Sequence, residues 1–307
     1  MDDKHDPFNI LSLDGGGSKG IYTLGVLSEL EQKFGVRLCD RFDLIYGTST
    51  GAIIGAMLAL GKSVEEIREI YFKIIPAVMP LLLKKRRGMA LKKHAHEIFE
   101  RKTFRDFETG VGIVAMDYDS ARPMVFKSDV RWAHGSRASF NPGFGCTIAD
   151  AVLASSAAYP ILPKVILKIP NQGWRTFLDG GVIANNPMLL AIADAINANG
   201  RKLEEIRVLS LGTGMFPERP LYRLEPVVGR FGLIRLTTKL IVASTNTVEG
   251  LSRILFPNTR ILRINEAFGE AEFRTNMREH RIDVLETLYG LGRRSFGKFE
   301  REIDDFF

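Results

Sequence analysis

A serine flanked by glycines lies where an apolar segment meets a helical one. Ser49 is the middle residue of Gly47-Thr48-Ser49-Thr50-Gly51, which follows the apolar residues 42–46 and precedes the helical residues 52–60. G-x-S-x-G between a strand and a helix is typical of a nucleophile elbow, whose tight turn exposes the serine hydroxyl. Gly47 and Gly51 fit that turn because a Cβ on either side of the serine would clash. Although a bare G-x-S-x-G also occurs in ordinary loops, this context predicts Ser49 as a nucleophile.

A glycine-rich turn precedes the serine. Residues 8–13 form an apolar strand candidate, Asp14-Gly15-Gly16-Gly17-Ser18-Lys19-Gly20 follows, and residues 21–34 have helical periodicity. Backbone N–H groups in such a turn can stabilise an oxyanion. We therefore predict that Gly15, Gly16 and Gly17 form an oxyanion hole facing Ser49.

The same turn also matches a dinucleotide-binding pattern. Gly15, Gly17 and Gly20 spell G-x-G-x-x-G, and Asp40 lies 20 residues after Gly20. This hypothesis leaves the elbow unexplained. A phosphate-binding P-loop is excluded because Ile21, rather than lysine, follows Gly20.

An aspartate ends a later apolar strand candidate. Asp179 lies in Phe177-Leu178-Asp179-Gly180-Gly181, where the two glycines permit close approach. A carboxylate with a raised pKa in a desolvated cleft can activate a serine hydroxyl. The alternatives are an aspartate that only forms an Asp-Gly turn and a triad in which His280, the one histidine after Asp179, serves as the base.

Together, the three glycine-flanked strand ends resemble the patatin-like phospholipases. The resemblance covers residues 9–213 and includes residues 155–160 and Asn185-Asn186-Pro187. It implies a Ser49–Asp179 dyad, an oxyanion hole in the first glycine turn, and supporting roles for Gly47, Gly51, Gly180 and Gly181. Lys19 replaces the arginine that is usual in the family, which keeps the charge but loses the planar fork.

Composition indicates an ordinary globular protein rather than a membrane-spanning one. The 307 residues are 45% hydrophobic and 25% charged, and Cys39 and Cys146 are the only cysteines. No secretory signal and no apolar run of about 18 residues is visible. Two successive strand-to-helix units predict a mainly parallel sheet covered by helices. With the resemblance, this gives a three-layer α/β/α fold in a single domain, residues 1–307.

The chain has a net charge of +6 and a pI near 9.3, which favours an anionic partner without choosing among lipid, nucleotide and nucleic acid. An apolar loop is predicted from Pro76 to residue 83, followed by Lys84, Lys85, Arg86 and Arg87. This segment, residues 76–87, is a candidate peripheral membrane contact, with a core loop beside a solvated charged face as the alternative.

The sequence also predicts secondary-structure elements that carry none of the candidate site residues. A capping box at Ser63 opens a helix to about residue 75, and helices are expected at 91–102, 187–196, 233–243 and 281–304. Residues 127–146 are expected to form a long surface loop, and residues 260–264 a strand.

The resemblance implies a phospholipase that acts on membrane phospholipid without a cofactor or metal. Within the family the chain is similar to bacterial CBASS antiphage effectors. This similarity implies a cyclic di- or trinucleotide as activator and a cytoplasmic location against the inner membrane. No nucleic-acid partner is expected, and the sequence leaves homo-oligomerisation open. The alternatives are a constitutive lipid acyl hydrolase, a nucleotide-binding oxidoreductase and a catalytically silent membrane-binding module.

Overall fold

The computed structural model describes residues 7–128, 141–217 and 230–307, whose strands form one nine-stranded sheet. In chain order the strands are β1 (Phe8–Leu13), β2 (Leu44–Thr48), β3 (Gly110–Asp117), β4 (Arg122–Lys127), β5 (Asn141–Gly143), β6 (Val165–Ile169), β7 (Gly173–Asp179), β8 (Ile206–Leu211) and β9 (Arg260–Ile264). The main path across the sheet is β5-β4-β3-β2-β1-β8-β9, and β7 pairs with both β3 and β6.

Helices cover both faces of this sheet. They are α1 (Gly20–Phe34), α2 (Thr50–Ala59), α3 (Val64–Val78), α4 (Lys84–Phe99), α5 (Ile148–Ser155), α6 (Gly181–Ala184), α7 (Met188–Asn197), α8 (Arg230–Leu255), α9 (Ile282–Lys298) and α10 (Glu300–Phe306). Leu11 and Leu13 of β1 pack with α1 and α2, whereas Ile10 packs with α7 on the other face. Since alternate side chains of a strand point to opposite faces, a strand that is buried on both faces is mainly apolar. The three-layer, mainly parallel architecture predicted from the sequence is confirmed.

Two strands end against one another along the same edge of β3. Strand β2 runs parallel to β3 and places Thr48 opposite Val114. Strand β7 runs antiparallel to β3 and places Asp179 opposite Ala115. The carboxyl ends of β2 and β7 therefore meet at neighbouring residues of β3, although 130 residues separate Ser49 from Asp179.

The predicted apolar loop before the basic cluster is shorter than expected: its first three residues belong to helix α3, and residues 79–83 form the turn between α3 and α4. Helix α3 continues through Pro76 to Val78 although proline has no N–H to donate to the i−4 carbonyl. Burial of Ile75 and Val78 stabilises this last turn. Helix α4 begins at Lys84 rather than residue 91 and ends at Phe99 rather than 102. Lysine, arginine, methionine and leucine are good helix formers, so the charged run at residues 84–87 does not interrupt the helix.

Other boundaries also differ. Strand β6 and the short helix α6 were not predicted, and α8 extends well beyond residues 233–243 on both sides. The helix expected at 281–304 breaks into α9 and α10 at Phe299. Helix α7 begins after Pro187, although the Asn186 side chain still accepts a hydrogen bond from the Met188 N–H at 3.0 Å. Of the predicted surface loop at 127–146, residues 129–140 lie outside the described part of the chain, and β5 pairs in parallel with β4.

Candidate active site

The nucleophile elbow forms at Ser49 as the sequence predicts. Ser49 has φ 54° and ψ −119°, a region that residues with a side chain rarely adopt. A Cβ at Gly47 would strike the Gly51 carbonyl, and one at Gly51 would strike the Leu13 carbonyl of β1. The two glycines thus let β2, the turn and α2 approach closely, and the turn holds the Ser49 side chain at the carboxyl end of the sheet.

Asp179 lies directly against this serine. The Ser49 hydroxyl donates a hydrogen bond to Asp179 Oδ2 at 2.7 Å, and the Gly181 N–H donates to Oδ1 at 2.7 Å. Burial raises the pKa of Asp179 from 3.8 to about 6, while the bonds from Ser49 and Gly181 oppose that rise. A carboxylate of this kind is ionised at neutral pH yet basic enough to accept a proton.

Gly180 is the residue that permits this approach. A Cβ at Gly180 would collide with the Val114 carbonyl of β3 and would lie 3.1 Å from the Thr48 side chain. At Gly181 an added Cβ would come within 3.0 Å of the Asp179 carboxylate. Both predicted support glycines therefore stand where backbone and carboxylate crowd together.

Ser155 joins the two halves of the site and was not singled out from the sequence. Its hydroxyl accepts a hydrogen bond from the Ser49 N–H at 2.8 Å and donates to the Val114 carbonyl at 2.6 Å. Its carbonyl accepts from the Gly180 N–H at 3.1 Å. Because one residue contacts both the elbow and the Asp179 turn, it fixes their relative position. Its only sequence signal was its place in residues 155–160, a segment that the family resemblance includes.

The first glycine turn faces the serine, but its three N–H groups are not equivalent. The Gly15 N–H donates to the Asn185 carbonyl at 3.2 Å, so it is already engaged. Within the described ranges, the N–H groups of Gly16 and Gly17 have no acceptor. Gly16 and Gly17 line cavities that also contain Ser49. The structure therefore narrows the predicted oxyanion donors from three glycines to these two.

The charged residues that flank this turn have other partners. Asp14 is buried and forms a two-pronged ion pair with Arg263 of β9, with N–O distances of 2.9 and 2.6 Å. Lys19 is half-buried, with its ammonium 6.0 Å from the centre of the Phe216 ring. Asp14 thus anchors the turn to the sheet. The sequence around Arg263 contains no motif from which this ion pair could have been predicted.

Two cavities meet at Ser49. One, of about 90 Å³, is apolar and lies among α2, α3, α4 and α5, with Tyr71, Ile75, Leu91 and Leu153 in its wall. The other, of about 30 Å³, contains Ser49, Asp179, Gly16 and Tyr159 together with residues of α8. Ser49 therefore stands between an apolar chamber and a smaller one that holds the carboxylate and the glycine turn.

Neither rival mechanism from the sequence finds support in the geometry. His280 is exposed and its Nδ1 pairs with the Arg278 carbonyl at 3.2 Å, whereas Asp179 is bonded to Ser49 and Gly181. Asp40, the acid proposed for dinucleotide binding, is exposed and pairs with Arg37 at 3.0 Å. It also precedes β2, whereas a ribose-binding acid follows that strand.

The candidate membrane segment is only partly a basic surface. Leu82 and Leu83 are 87% and 60% exposed, and Lys85 and Arg86 are also exposed. Arg87, by contrast, is 3% exposed and donates to the Leu82 carbonyl at 3.3 Å. Arg87 is therefore removed from the predicted set of lipid-facing cations. No helix in the described ranges is long and apolar enough to cross a bilayer.

The chain is similar to several known proteins. The patatin-like phospholipase family model matches residues 11–192. A cUMP-AMP-activated phospholipase of Escherichia coli is 42% identical over 297 residues, which cover 97% of this chain and 93% of that protein. A cGAMP-activated phospholipase of Vibrio cholerae is 28% identical over 235 residues, covering 66% of this chain and 63% of that protein. The crystal structure of VipD from Legionella pneumophila matches with a TM-score of 0.48 at 12% identity, covering 96% of this chain and 67% of that one.

The chain belongs to the patatin-like phospholipase family, because the family model covers more than half of it and the E. coli relative aligns along almost its whole length. It is accordingly a hydrolase, as the sequence predicted, and the oxidoreductase and silent-module hypotheses are set aside.

Proposed function

We propose that this protein is a phospholipase A that cleaves glycerophospholipids into free fatty acid and lysophospholipid through a Ser49–Asp179 dyad. The observation that carries the proposal is the 2.7 Å hydrogen bond from the Ser49 hydroxyl to a buried carboxylate, at the mouth of an apolar cavity. The apolar chamber suits an acyl chain, and the elbow suits attack on the ester carbon at its end.

Each step of the reaction has a residue assigned to it. Asp179 accepts the Ser49 proton as the Ser49 oxygen bonds to the ester carbon, and the N–H groups of Gly16 and Gly17 bind the resulting oxyanion. The carbon–oxygen bond to the lysophospholipid then breaks, and the leaving oxygen takes the proton from Asp179. Water attacks the acyl-serine with Asp179 as base again, which releases the fatty acid and restores the Ser49 hydroxyl.

The names of the relatives support regulation by a cyclic nucleotide. The E. coli relative is called cUMP-AMP-activated, and the V. cholerae relative cGAMP-activated. We propose that this protein is likewise switched on by a cyclic di- or trinucleotide and acts as an antiphage effector at the inner membrane. The alternative is a constitutive lipid acyl hydrolase.

The test of both proposals is lipid-product analysis of the purified protein on phosphatidylglycerol vesicles, with and without a panel of cyclic di- and trinucleotides. We expect fatty acid and lysophospholipid in equal amounts, and one activator that raises the rate. Full activity that no nucleotide changes would replace the effector proposal by the constitutive one. Absence of product under every condition, with no reaction of Ser49 with a fluorophosphonate, would sink the phospholipase proposal.

Peripheral membrane contact through residues 76–87 is part of the proposal, with Leu82, Leu83, Lys85 and Arg86 as the contacting side chains. Basic residues near an anionic bilayer contribute about 1 kcal/mol each, so Lys85 and Arg86 together contribute about 2 kcal/mol, or roughly thirtyfold in partitioning.

The test measures vesicle binding of two double variants by sedimentation with anionic vesicles. The first is Lys85→Gln/Arg86→Gln. The control is Arg101→Gln/Arg301→Gln, which removes the same charge from two other exposed positions. We expect the first pair to weaken binding at low salt and the control pair to change it little. Equal binding by both double variants would reject this contact without affecting the catalytic proposal.

A further inference from the structure

Helix α8 presents its large aliphatic side chains to solvent. Leu236, Leu240, Leu251 and Ile254 are 57%, 62%, 42% and 75% exposed. At 3.6 residues per turn these four positions fall within about 60° of one another around the helix axis. They form one stripe, called here the α8 stripe, that runs for about 27 Å at 1.5 Å per residue.

The inward side of the same helix is mixed in polarity. Thr245 and Ser252 are buried, the Thr245 hydroxyl accepts a hydrogen bond from the Asn185 side chain at 3.0 Å, and Val248 packs against the core. A helix on the surface of a globular protein normally turns its apolar side inward. The α8 stripe faces solvent instead, so burial against the core does not explain these aliphatic residues.

The stripe begins beside the entrance to the catalytic site. The small cavity that holds Ser49 and Asp179 is lined by three α8 residues that neighbour Leu236 and Leu240 in the sequence, namely Thr237, Thr238 and Ile241. Val182 and Tyr159 line the same cavity and are 45% and 43% exposed. The entrance is therefore bordered by exposed apolar groups.

Tyr159 also connects this cavity to the segment already proposed to touch lipid. The Lys84 ammonium lies 4.7 Å from the centre of the Tyr159 ring, and the exposed Leu82 and Leu83 directly precede Lys84. Exposed apolar residues of α8 and of the turn between α3 and α4 therefore both lie near residues that line the cavity.

Two cations lie on one flank of the stripe. Lys239 and Arg253 are exposed there, and Glu249, the single acid between them in the sequence, pairs with Arg253 at 2.9 Å and lies 3.8 Å from Arg263. Glu249 offsets the charge of Arg253, so this flank carries one more cation than acid. An aliphatic face beside a basic flank is the arrangement of a helix that lies in the plane of a membrane surface.

We infer that α8 is an interfacial helix whose stripe inserts into an anionic phospholipid bilayer and seats the entrance of the catalytic site on it. The inference rests on the proposed phospholipase function, because it explains how a lipid ester reaches Ser49 without crossing water. It adds a second docking element to residues 76–87.

The test is partitioning onto phosphatidylglycerol vesicles by sedimentation. Leu240→Gln and Ile254→Gln are compared with Val36→Gln, which replaces an aliphatic side chain that is 46% exposed beyond the end of α1. We expect each α8 variant to bind about tenfold more weakly, equivalent to about 1.4 kcal/mol, and Val36→Gln to bind as the wild type does. All three residues are exposed, so equal thermal unfolding of the variants verifies that the fold is intact.

A second readout does not depend on weakened binding. An environment-sensitive dye on Leu240→Cys should shift its emission to the blue on vesicles, and the same dye on Val36→Cys should not. Unshifted emission at position 240, or wild-type binding by Leu240→Gln/Ile254→Gln, would overturn the inference. It would also be overturned if light scattering showed a wild-type dimer that this double variant separates while vesicle binding stays unchanged, because a second copy would then cover the stripe.

Failure of the proposed function can be told apart from failure of this inference. Leu240→Gln/Ile254→Gln should hydrolyse a soluble short-chain ester at the wild-type rate while losing activity on vesicles. If the wild type hydrolyses neither substrate, the phospholipase proposal fails, and the sedimentation and dye experiments still decide whether α8 binds lipid.

Discussion

Replacing Asp179 by asparagine should abolish catalysis and, at the same time, raise the stability of the fold. The carboxylate is 5% exposed, and no cation is among the groups that set its pKa, which burial raises from 3.8 to about 6. A raised pKa means that the folded protein disfavours the ionised form that an unfolded chain would have at neutral pH. Asparagine has no charge to bury and can keep a hydrogen bond to the Gly181 N–H.

The magnitude follows from the two pKa values. The difference between 3.8 and about 6, at about 1.4 kcal/mol per pH unit, corresponds to roughly 3 kcal/mol. Because the folded-state pKa is the higher one, Asp179 costs no stability below pH 3.8 and costs its full amount above about pH 6. The advantage of Asp179→Asn should therefore grow between these pH values and then stay constant.

Urea unfolding of the wild type and Asp179→Asn, followed by circular dichroism from pH 4 to 8, measures this advantage. Asp194→Asn is the matched control, since Asp194 is equally buried but pairs with Lys127. Removing one partner of a buried ion pair should destabilise the fold by about 3–5 kcal/mol. If Asp179→Asn were no more stable than the wild type at pH 7.5, the claim that Asp179 is a desolvated, functionally poised carboxylate would be refuted.

Two further predictions concern turnover. The kcat/KM for a soluble short-chain ester should rise with pH through about 6 and level off above it, because Asp179 must be ionised to accept the Ser49 proton; a profile that is flat from pH 5 to 8 would argue against this base. Gly17→Ala should reduce kcat by roughly 10² to 10³ with vesicle binding unchanged, because Gly17 has φ +60° and an added Cβ would strike the Met277 carbonyl. Gly269→Ala, where a Cβ meets nothing within 4 Å, should be neutral.

The sequence predicts those parts of the site that depend on residues close together in the chain. One local pattern contains the whole elbow, because Ser49, its flanking glycines and the adjoining strand and helix all lie within residues 42–60. The strands β1, β2 and β8 are mainly apolar runs because most of their residues are buried, which leaves little choice of residue type. Strand β9 matches the predicted residues 260–264 although it is only partly buried.

The parts that the sequence does not predict depend on long-range pairing. Nothing in residues 173–179 indicates that β7 runs antiparallel to β3 and ends against β2, which is what brings Asp179 to Ser49. The Asp14–Arg263 ion pair and the contacts of Ser155 likewise join residues far apart in the chain. The helical character of residues 84–87 was missed because a charged run resembles a loop, whereas tertiary packing buries Arg87.

The most direct test of the dyad is a double-mutant cycle of Ser49→Ala and Asp179→Ala, read as fatty-acid release from phosphatidylglycerol vesicles in the presence of whichever cyclic nucleotide activates the wild type. Because the two residues act as one unit, each single variant should lose about 10⁴ to 10⁶ in kcat, and the double variant should be scarcely slower. His280→Ala should retain wild-type activity. A folded Asp179→Ala protein that keeps more than about a tenth of its activity, a loss of less than 1.4 kcal/mol in the barrier, would contradict the Ser49–Asp179 mechanism.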